Sequence, residues 1–542
     1  MSNSQKWSFP SPFQHGHYGS GFAPRTLVEQ RLDSLRNAIA RKPEWTRKIK
    51  TDIRDKWVRE MKQQGVSTRE IDYVMAELDW YAARTIEVPL NPSASASFAA
   101  PGVYIADNVL HEETLKKLRD LADALMSVPK KDYDWHPGSN ETVLDLVHPS
   151  LYPLIYGVSR VTETPIAKPW VQSIGDGKVL AKKDPKKVKP WEFAPDRFAS
   201  KDYQWLPAEF QVAEDGSVSV ESYINNLHPR HTEGYDAIAA SLAHLLPMFE
   251  ACLEQQLNGC FDAKIQAGDW YEHSEEPEEG TDEEDSDFEQ RWEEWQENRS
   301  IKLPEVPEFA PLDIKKTVSL KGRRLQAIVK MATIELTPEK PRYEGGSWHV
   351  EGMQNENIVA SGIIYFQSDN VQDTTLCFRQ AVCEPDYEQG DERGVAAVYG
   401  LADEEALNEP AGEIMTSEKR AVVFPNALQH QVQPFELEDK TKPGTRRILC
   451  FFLVHPDERI VSTETVPPQQ AEWFAEEVKR DETIVRKMPE ELAGMVANFV
   501  GDWPMSLESA REHREKLMHE RKFFVNDNNT KFFERPFSLC EH

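Results

Sequence analysis

The chain is 542 residues long, and 92 acidic side chains against 63 basic ones leave a net charge of −29 at neutral pH. A charge of that sign argues against nucleic acid as a partner, because sequence-independent affinity for nucleic acid comes from Lys and Arg neutralising phosphates. With 39% hydrophobic and 10% aromatic residues, including 14 Trp, the composition is globular and far from the disordered or fibrous classes.

No window approaches 18 uncharged apolar residues, and the opening MSNSQKWSFPSPFQ lacks the apolar stretch of a secretory signal. The expectation is a chain with no membrane segment, placed in the cytoplasm with the nucleus as the alternative. The 6 cysteines show no CxxC spacing, so neither a disulfide framework nor a zinc ribbon is indicated.

From Leu27 to about Arg84, apolar residues recur three and four apart, which predicts helices, and Ser67 opens a Ser-x-x-Glu capping box. The small, polar, Pro-bounded stretch from Asn91 to Gly102 predicts a linker. Residues of roughly 103 to 270 mix helical and aromatic-rich pieces, and the Lys-rich run Lys178 to Lys189 among them is expected to be a solvated loop. From Ser274 to Asn298 runs an acidic block that is expected to be a disordered insertion, with a docking site for a basic protein partner as its functional alternative.

After that block, short runs rich in Val, Ile, Phe and Tyr, such as RLQAIVKMATIEL, ENIVASGIIYFQ and RRILCFFLV, alternate with Gly/Pro/Asp turns up to about Val466. Many short strands without long intervening helices predict a β-sandwich or barrel. Helical patterns return in QQAEWFAEEVKRDETIVRK, PEELAGMVANFV and SLESAREHREKLMHERKFF. The expected class is α+β, divided into an N-terminal helical region (1–95), a mixed region packing on the core (96–272), the acidic insertion (273–300), a β core (301–466) and a C-terminal helical region (467–542).

The most informative segment is GGSWHVEGM, in which His349 and Glu351 lie two apart, so that an extended strand projects both to one face. A second histidine, His430, follows the strand RAVVFP, and sixteen residues later comes Arg446, in another strand at Thr445-Arg446-Arg447-Ile448. This is the order that a non-haem Fe(II) oxygenase needs: two imidazoles and a carboxylate on one face of the metal, the remaining positions open for co-substrate and O₂. A strand-borne arginine can then hold the distal carboxylate of 2-oxoglutarate by a bidentate, charge-assisted pair. Strand alternation sends only one of Arg446 and Arg447 inward.

The segments DLVHPSLYPLIYG, YQWLPAEF, SYINNLHP, LTPEKPRYEGGSWHVEGMQNENIVASGIIYF and KPGTRRILCFFLVHPDERIVSTETVPPQ resemble a large, mostly fungal family long catalogued as a domain of unknown function. The resemblance covers most of the chain. It implies a double-stranded β-helix core (jelly-roll or cupin-like), similar to that of Fe(II)/2-oxoglutarate-dependent dioxygenases, and no settled substrate. More distantly, Thr445 to Leu449 with Asp457-Glu458-Arg459 is similar to the corresponding strand of oxygen-sensing prolyl hydroxylases, a match that places the co-substrate arginine at Arg446. One departure is that the usual aspartate is Glu351, whose extra methylene alters how the carboxylate reaches a metal.

The expected function is therefore oxidation, by default hydroxylation, of a small-molecule or peptide substrate. His349, Glu351 and His430 would hold Fe(II), with Arg446 on 2-oxoglutarate. The competing expectations are a catalytically silent β-helix scaffold and a cupin-like metalloenzyme that does not use 2-oxoglutarate. His148, His228 and His455 each precede Pro and read as structural turn residues, while Tyr343, Tyr365 and Arg379 lie on or near core strands as pocket or packing residues.

Overall fold

The computed structural model describes residues 6–13, 20–91, 94–182, 197–271, 277–280, 284–388, 390–480 and 503–539. Four helices open it: α1 (Leu27–Ala40), α2 (Trp45–Lys48), α3 (Ile53–Gln63) and α4 (Thr68–Ala82). At the start of α4 the capping box closes in both directions, since Ser67 accepts from the Glu70 N–H while the Glu70 carboxylate accepts from the Ser67 N–H. A short strand β1 (Ile86–Glu87) then leads into the hairpin β2 (Ser95–Ala100) and β3 (Val103–Asp107). The stretch expected as a linker is thus a sheet strand. Its small residues serve close packing: Ala96, Ala99 and Ala100 are buried, and Phe98 stacks on Tyr81 of α4 with ring centroids 3.6 Å apart.

The next part holds α5 (Glu112–Met126), β4 (Val143–Val147) and four two-residue strands, β5 (Leu154–Ile155), β6 (Arg160–Val161), β7 (Lys178–Val179) and β8 (Tyr203–Gln204). The hairpin β9 (Ala208–Val212) and β10 (Val218–Val220) and the helix α6 (Thr232–Leu257) complete it. Most of the Lys-rich run lies outside the described residues. Contrary to the expectation from window counting, α6 is long and apolar enough to cross a membrane, with a mean hydropathy of 1.3, but 72% of that window is buried inside the protein. A helix apolar on all sides needs apolar surroundings, and here the protein core supplies them.

The acidic block also departs from expectation. Residues Asp285–Asn298 form a helix, α7, on which Phe288, Trp292 and Trp295 recur at helical spacing and are half-buried, and Arg299 stacks on Trp295 and Tyr271. The aromatic stripe, outweighed in the composition by its acidic neighbours, is what gives this segment something to pack.

Strands then dominate: β11 (Arg324–Leu336), β12 (Arg342–Tyr343), β13 (Ile358–Asp369) and β14 (Thr375–Ala381) precede the short helix α8 (Glu392–Tyr399). After it come β15 (Asn408–Met415), β16 (Arg420–Pro425), β17 (Gln429–Val432), β18 (Phe435–Glu436) and β19 (Gly444–Val454). The chain closes with α9 (Ala471–Arg480) and α10 (Leu507–Asn528); the expected helix PEELAGMVANFV lies outside the described residues.

A ten-stranded antiparallel sheet organises the whole, in the order β1-β2-β3-β16-β13-β19-β11-β9-β10, with β4 also paired to β11. Because β2, β3, β4, β9 and β10 belong to this sheet, the boundaries expected at 95 and 272 do not separate independent units. Strand alternation divides the sheet's two faces. Leu449, Phe451 and Leu453 of β19 pack with the helices, and Gly362 of β13 leaves room for α6, since a Cβ there would meet Phe249 at 2.8 Å. Cys450 and Phe452 face the other way, toward Leu376, Phe378 and Ile414 of a smaller antiparallel sheet ordered β15-β14-β17.

Candidate metal centre

The space between the two sheets holds the histidine motif. Gly345 has a φ of +87°, and a Cβ there would meet the Val432 carbonyl oxygen at 2.8 Å, so glycine lets the segment after β12 run tight against β17. Gly346 N–H donates to Val432 O at 2.9 Å, and His349 and His430 exchange both backbone hydrogen bonds, at 3.2 and 3.0 Å. Two histidines 81 positions apart in sequence are thereby made direct cross-strand partners. Their rings lie 4.3 Å apart between centroids, and Glu351, two residues on from His349, completes a set whose ligand atoms all lie within 4.8 Å of one another.

The hydrogen bonds around this set leave the His349 Nε2 lone pair available. His349 Nδ1 lies 2.7 Å from the Ser347 carbonyl oxygen, which can only accept, so Nδ1 carries the proton and Nε2 presents its lone pair 3.9 Å from Glu351 Oε1. His430 Nε2 lies 3.5 Å from the same oxygen; its ring is buried against Phe424, and its Nδ1 has no partner among the described residues. Burial pushes His349 down to about 4, and the neighbouring His430 adds to this while Glu351 opposes it. Burial alone would raise Glu351, but the hydrogen bond with His430, the charges of both imidazoles and that of Lys330 outweigh it and hold the carboxyl at about 2. An ionised Glu351 beside a neutral His349 is the protonation state that ligation requires of these two residues.

A second group of two histidines and a carboxylate, His136, Asp145 and His148, also has ligand atoms within 4.8 Å of one another. Its hydrogen bonding differs. The Ser150 N–H donates to His148 Nδ1 at 3.2 Å, which leaves the proton of the neutral ring on Nε2 and no lone pair there. His228 and His455 repeat the same turn, accepting from Arg230 N–H and Asp457 N–H at 3.0 and 3.1 Å. In each His-Pro sequence the imidazole therefore caps the turn after the proline. His136 Nδ1 pairs with Asp145 at 2.9 Å, and Arg514 of α10 approaches Asp145 at 3.9 Å, so this cluster is a buried charge network.

Arg446 and Arg447 of β19 diverge as alternation requires. Arg447 reaches the helical side and pairs with Asp123 of α5 at 2.7 Å. Arg446 is 1% exposed on the inter-sheet side, stacks over Phe435 at 4.3 Å, and donates to Thr416 Oγ1 and the Gln372 carbonyl oxygen at 3.1 and 2.8 Å; no carboxylate among the described residues lies within ion-pair distance of it. Tyr365 shares that side and feels the charge of Arg446, while burial pushes its hydroxyl well up. Arg379 instead belongs to the far face of the small sheet, stacked on Trp348 and bonded to Gln429 and Glu534.

Two residues of the site were not singled out in the sequence. Asn426, in the turn between β16 and β17, accepts from the Glu351 N–H at 2.8 Å and donates to the Glu351 and Ile358 carbonyl oxygens at 3.0 and 3.1 Å, fixing the backbone that carries the carboxylate. Lys330, mid-strand in β11, sits opposite Cys450 of β19, and its charge acts on Glu351 and Asp145. The available signal was a lone cation inside an apolar strand.

Residues 68–477 match the profile of a family described as "Protein of unknown function (DUF4246)", and the chain belongs to that family. No curated protein matches it. Among solved structures, an Fe(II)/α-ketoglutarate-dependent dioxygenase, TqaL, is 10% identical, over 66% of this chain and 96% of its own, with a TM-score of 0.21. IDO from Bacillus thuringiensis is 12% identical over 24% and 46% of the two chains, with a TM-score of 0.16. AviO1 from Streptomyces viridochromogenes is 15% identical over 25% and 54%, with a TM-score of 0.13. The chain thus spans less than half the length of the IDO structure, and similarity at these scores carries no argument about function.

Proposed function

We infer that the chain is an Fe(II)/2-oxoglutarate-dependent oxygenase built on a double-stranded β-helix core. The observation that carries this reading is the convergence of His349 and Glu351, in the segment after β12, with His430 of β17, the tautomer of His349 being fixed by Ser347 so that Nε2 is free to ligate. Those three residues would hold the iron, and the bound metal would supply O₂-dependent oxidation of substrate coupled to conversion of 2-oxoglutarate to succinate. Asn426 holds the Glu351 backbone in place, and the buried guanidinium of Arg446, which has no carboxylate of its own among the described residues, offers a charge-assisted partner to the distal carboxylate of the co-substrate.

The test is to load the purified protein anaerobically with Fe(II), add 2-oxoglutarate, admit O₂ and measure succinate. Wild type is expected to form succinate and His349→Ala is expected to form none; absence of both 2-oxoglutarate binding and succinate in the iron-loaded wild type contradicts the reading. One observation favours a metalloenzyme that does without 2-oxoglutarate: both terminal nitrogens of Arg446 already have acceptors in Thr416 and Gln372. The same titration separates the two readings.

A further inference from the structure

Lys330 is a cation with no established task. It lies in the middle of β11 between Val329 and Met331, whose side chains face the helices, so its own side chain is directed into the inter-sheet space, opposite Cys450. Among the described residues it makes no hydrogen bond and no ion pair within 4 Å. The carboxylate that influences it most, Asp145, is already paired with His136 and approached by Arg514. Burial works against the Lys330 ammonium, but the charges of Asp145 and then Glu351 outweigh it and raise Lys330 above its ordinary value, so the half-buried side chain keeps its positive charge.

The strand register also sets Lys330 apart from Arg446. Lys330 pairs with Cys450 and Ile334 pairs with Arg446, so the two cations stand four residues apart along the same two strands, about 13 Å between backbones. The charge of Lys330 acts on Glu351 and His349, whereas that of Arg446 acts on Tyr365. Two cations, neither with a close carboxylate among the described residues, thus bracket the space that begins at the candidate metal ligands.

We propose that Lys330 pairs with the metal-side carboxylate of a 2-oxo acid, so that a 2-oxo diacid is gripped at both ends, by Lys330 beside His349, Glu351 and His430 and by Arg446 at the far end. This rests on the oxygenase reading and adds to it a residue that positions the co-substrate. A compact ammonium suits a single-point contact next to a metal, as a planar guanidinium suits the distal carboxylate.

The experiment uses the full chain, loaded with Fe(II) without oxygen, and titrates two probes into wild type, Lys330→Met and Arg446→Met: 2-oxoglutarate, and pyruvate, which keeps the 2-oxo carboxylate and lacks the distal one. Lys330→Met is expected to weaken both probes by the same factor, about tenfold or more, while Arg446→Met weakens 2-oxoglutarate alone. Iron content is expected to be equal in all three. Unchanged pyruvate affinity in Lys330→Met overturns the inference, including the case where only 2-oxoglutarate is weakened, which would put Lys330 at the distal end. A wild type that binds iron but neither probe overturns the oxygenase reading along with it, and is told apart because no variant is needed to see it. Should Lys330→Met fail to fold, Lys330→Gln keeps a polar stem without the charge, and the same outcomes decide.

Discussion

Two clusters of two histidines and a carboxylate stand within reach of the charge of Lys330, and they differ in how their ring nitrogens are hydrogen-bonded. In both, the carboxyl is held at about 2 and a histidine is driven far below its ordinary value, to about 4 at His349 and about 3 at His148. Charge, burial and residue type therefore do not distinguish them. The bond made by the other ring nitrogen does: a carbonyl acceptor at His349 Nδ1 exposes the Nε2 lone pair, whereas an N–H donor at His148 Nδ1 places the proton on Nε2.

The largest expected effect follows from that contrast. Glu351→Ala or His349→Ala should lower iron affinity by on the order of a hundredfold or more, whereas His148→Ala should leave one iron per chain. Equilibrium dialysis with metal analysis checks both, and equal losses in the two clusters would break the distinction. Stability should respond the other way. Asp145→Ala leaves His136 without its carboxylate beside a buried vacancy, while Arg514 keeps Asp134 at 2.6 Å, and should cost about 1–3 kcal/mol in denaturant unfolding, above Glu351→Gln in the metal-free chain.

Asn426→Ala tests whether the cluster depends on its backbone support. Loss of the clamp on Glu351 should reduce iron affinity by about 10–100-fold and stability by about 1–3 kcal/mol. Acidification addresses both clusters at once. His349 and His148 bind protons less readily in the folded chain than their ordinary 6.5, so stability should fall as pH drops from 6.5 toward about 4, and for His148 on to about 3. The carboxylates act in the same direction at lower pH: contributions present above 4.5 for Glu351 and 3.8 for Asp145 are lost on the way down to about 2. Thermal unfolding of the metal-free chain from pH 7 to 4 should thus show a declining midpoint, shallower in His148→Gln, and a flat profile would contradict these assignments. The smallest effect is expected away from both clusters, where replacing 277–298 by a short Gly/Ser linker should leave iron content unchanged and cost about 1 kcal/mol or less.

Local patterns were legible in the sequence where spacing alone carries the information. The two-residue separation of His349 and Glu351, the position of His430 after a strand and the alternation that separates Arg446 from Arg447 needed no tertiary contact. The Ser67 capping box was readable for the same reason. What escaped depends on pairing between distant segments. Ala96 to Ala100 looked like a linker because small residues signal flexibility locally, and only the helices above them turn smallness into close packing. The acidic count of residues 274–298 hid an aromatic stripe. The role of Lys330 depends on its register with Cys450, and the charge of Lys330 reaches Asp145 only because β4 pairs with β11.

Anomalous scattering from crystals of the full chain grown with Fe(II) under anaerobic conditions tests the central claim most directly. The account predicts a single protein-bound peak about 2.1 Å from His349 Nε2, with His430 and a Glu351 oxygen completing the protein ligands. A peak at His136, Asp145 and His148 instead, or a peak at neither cluster in crystals whose protein binds iron in solution, would contradict it.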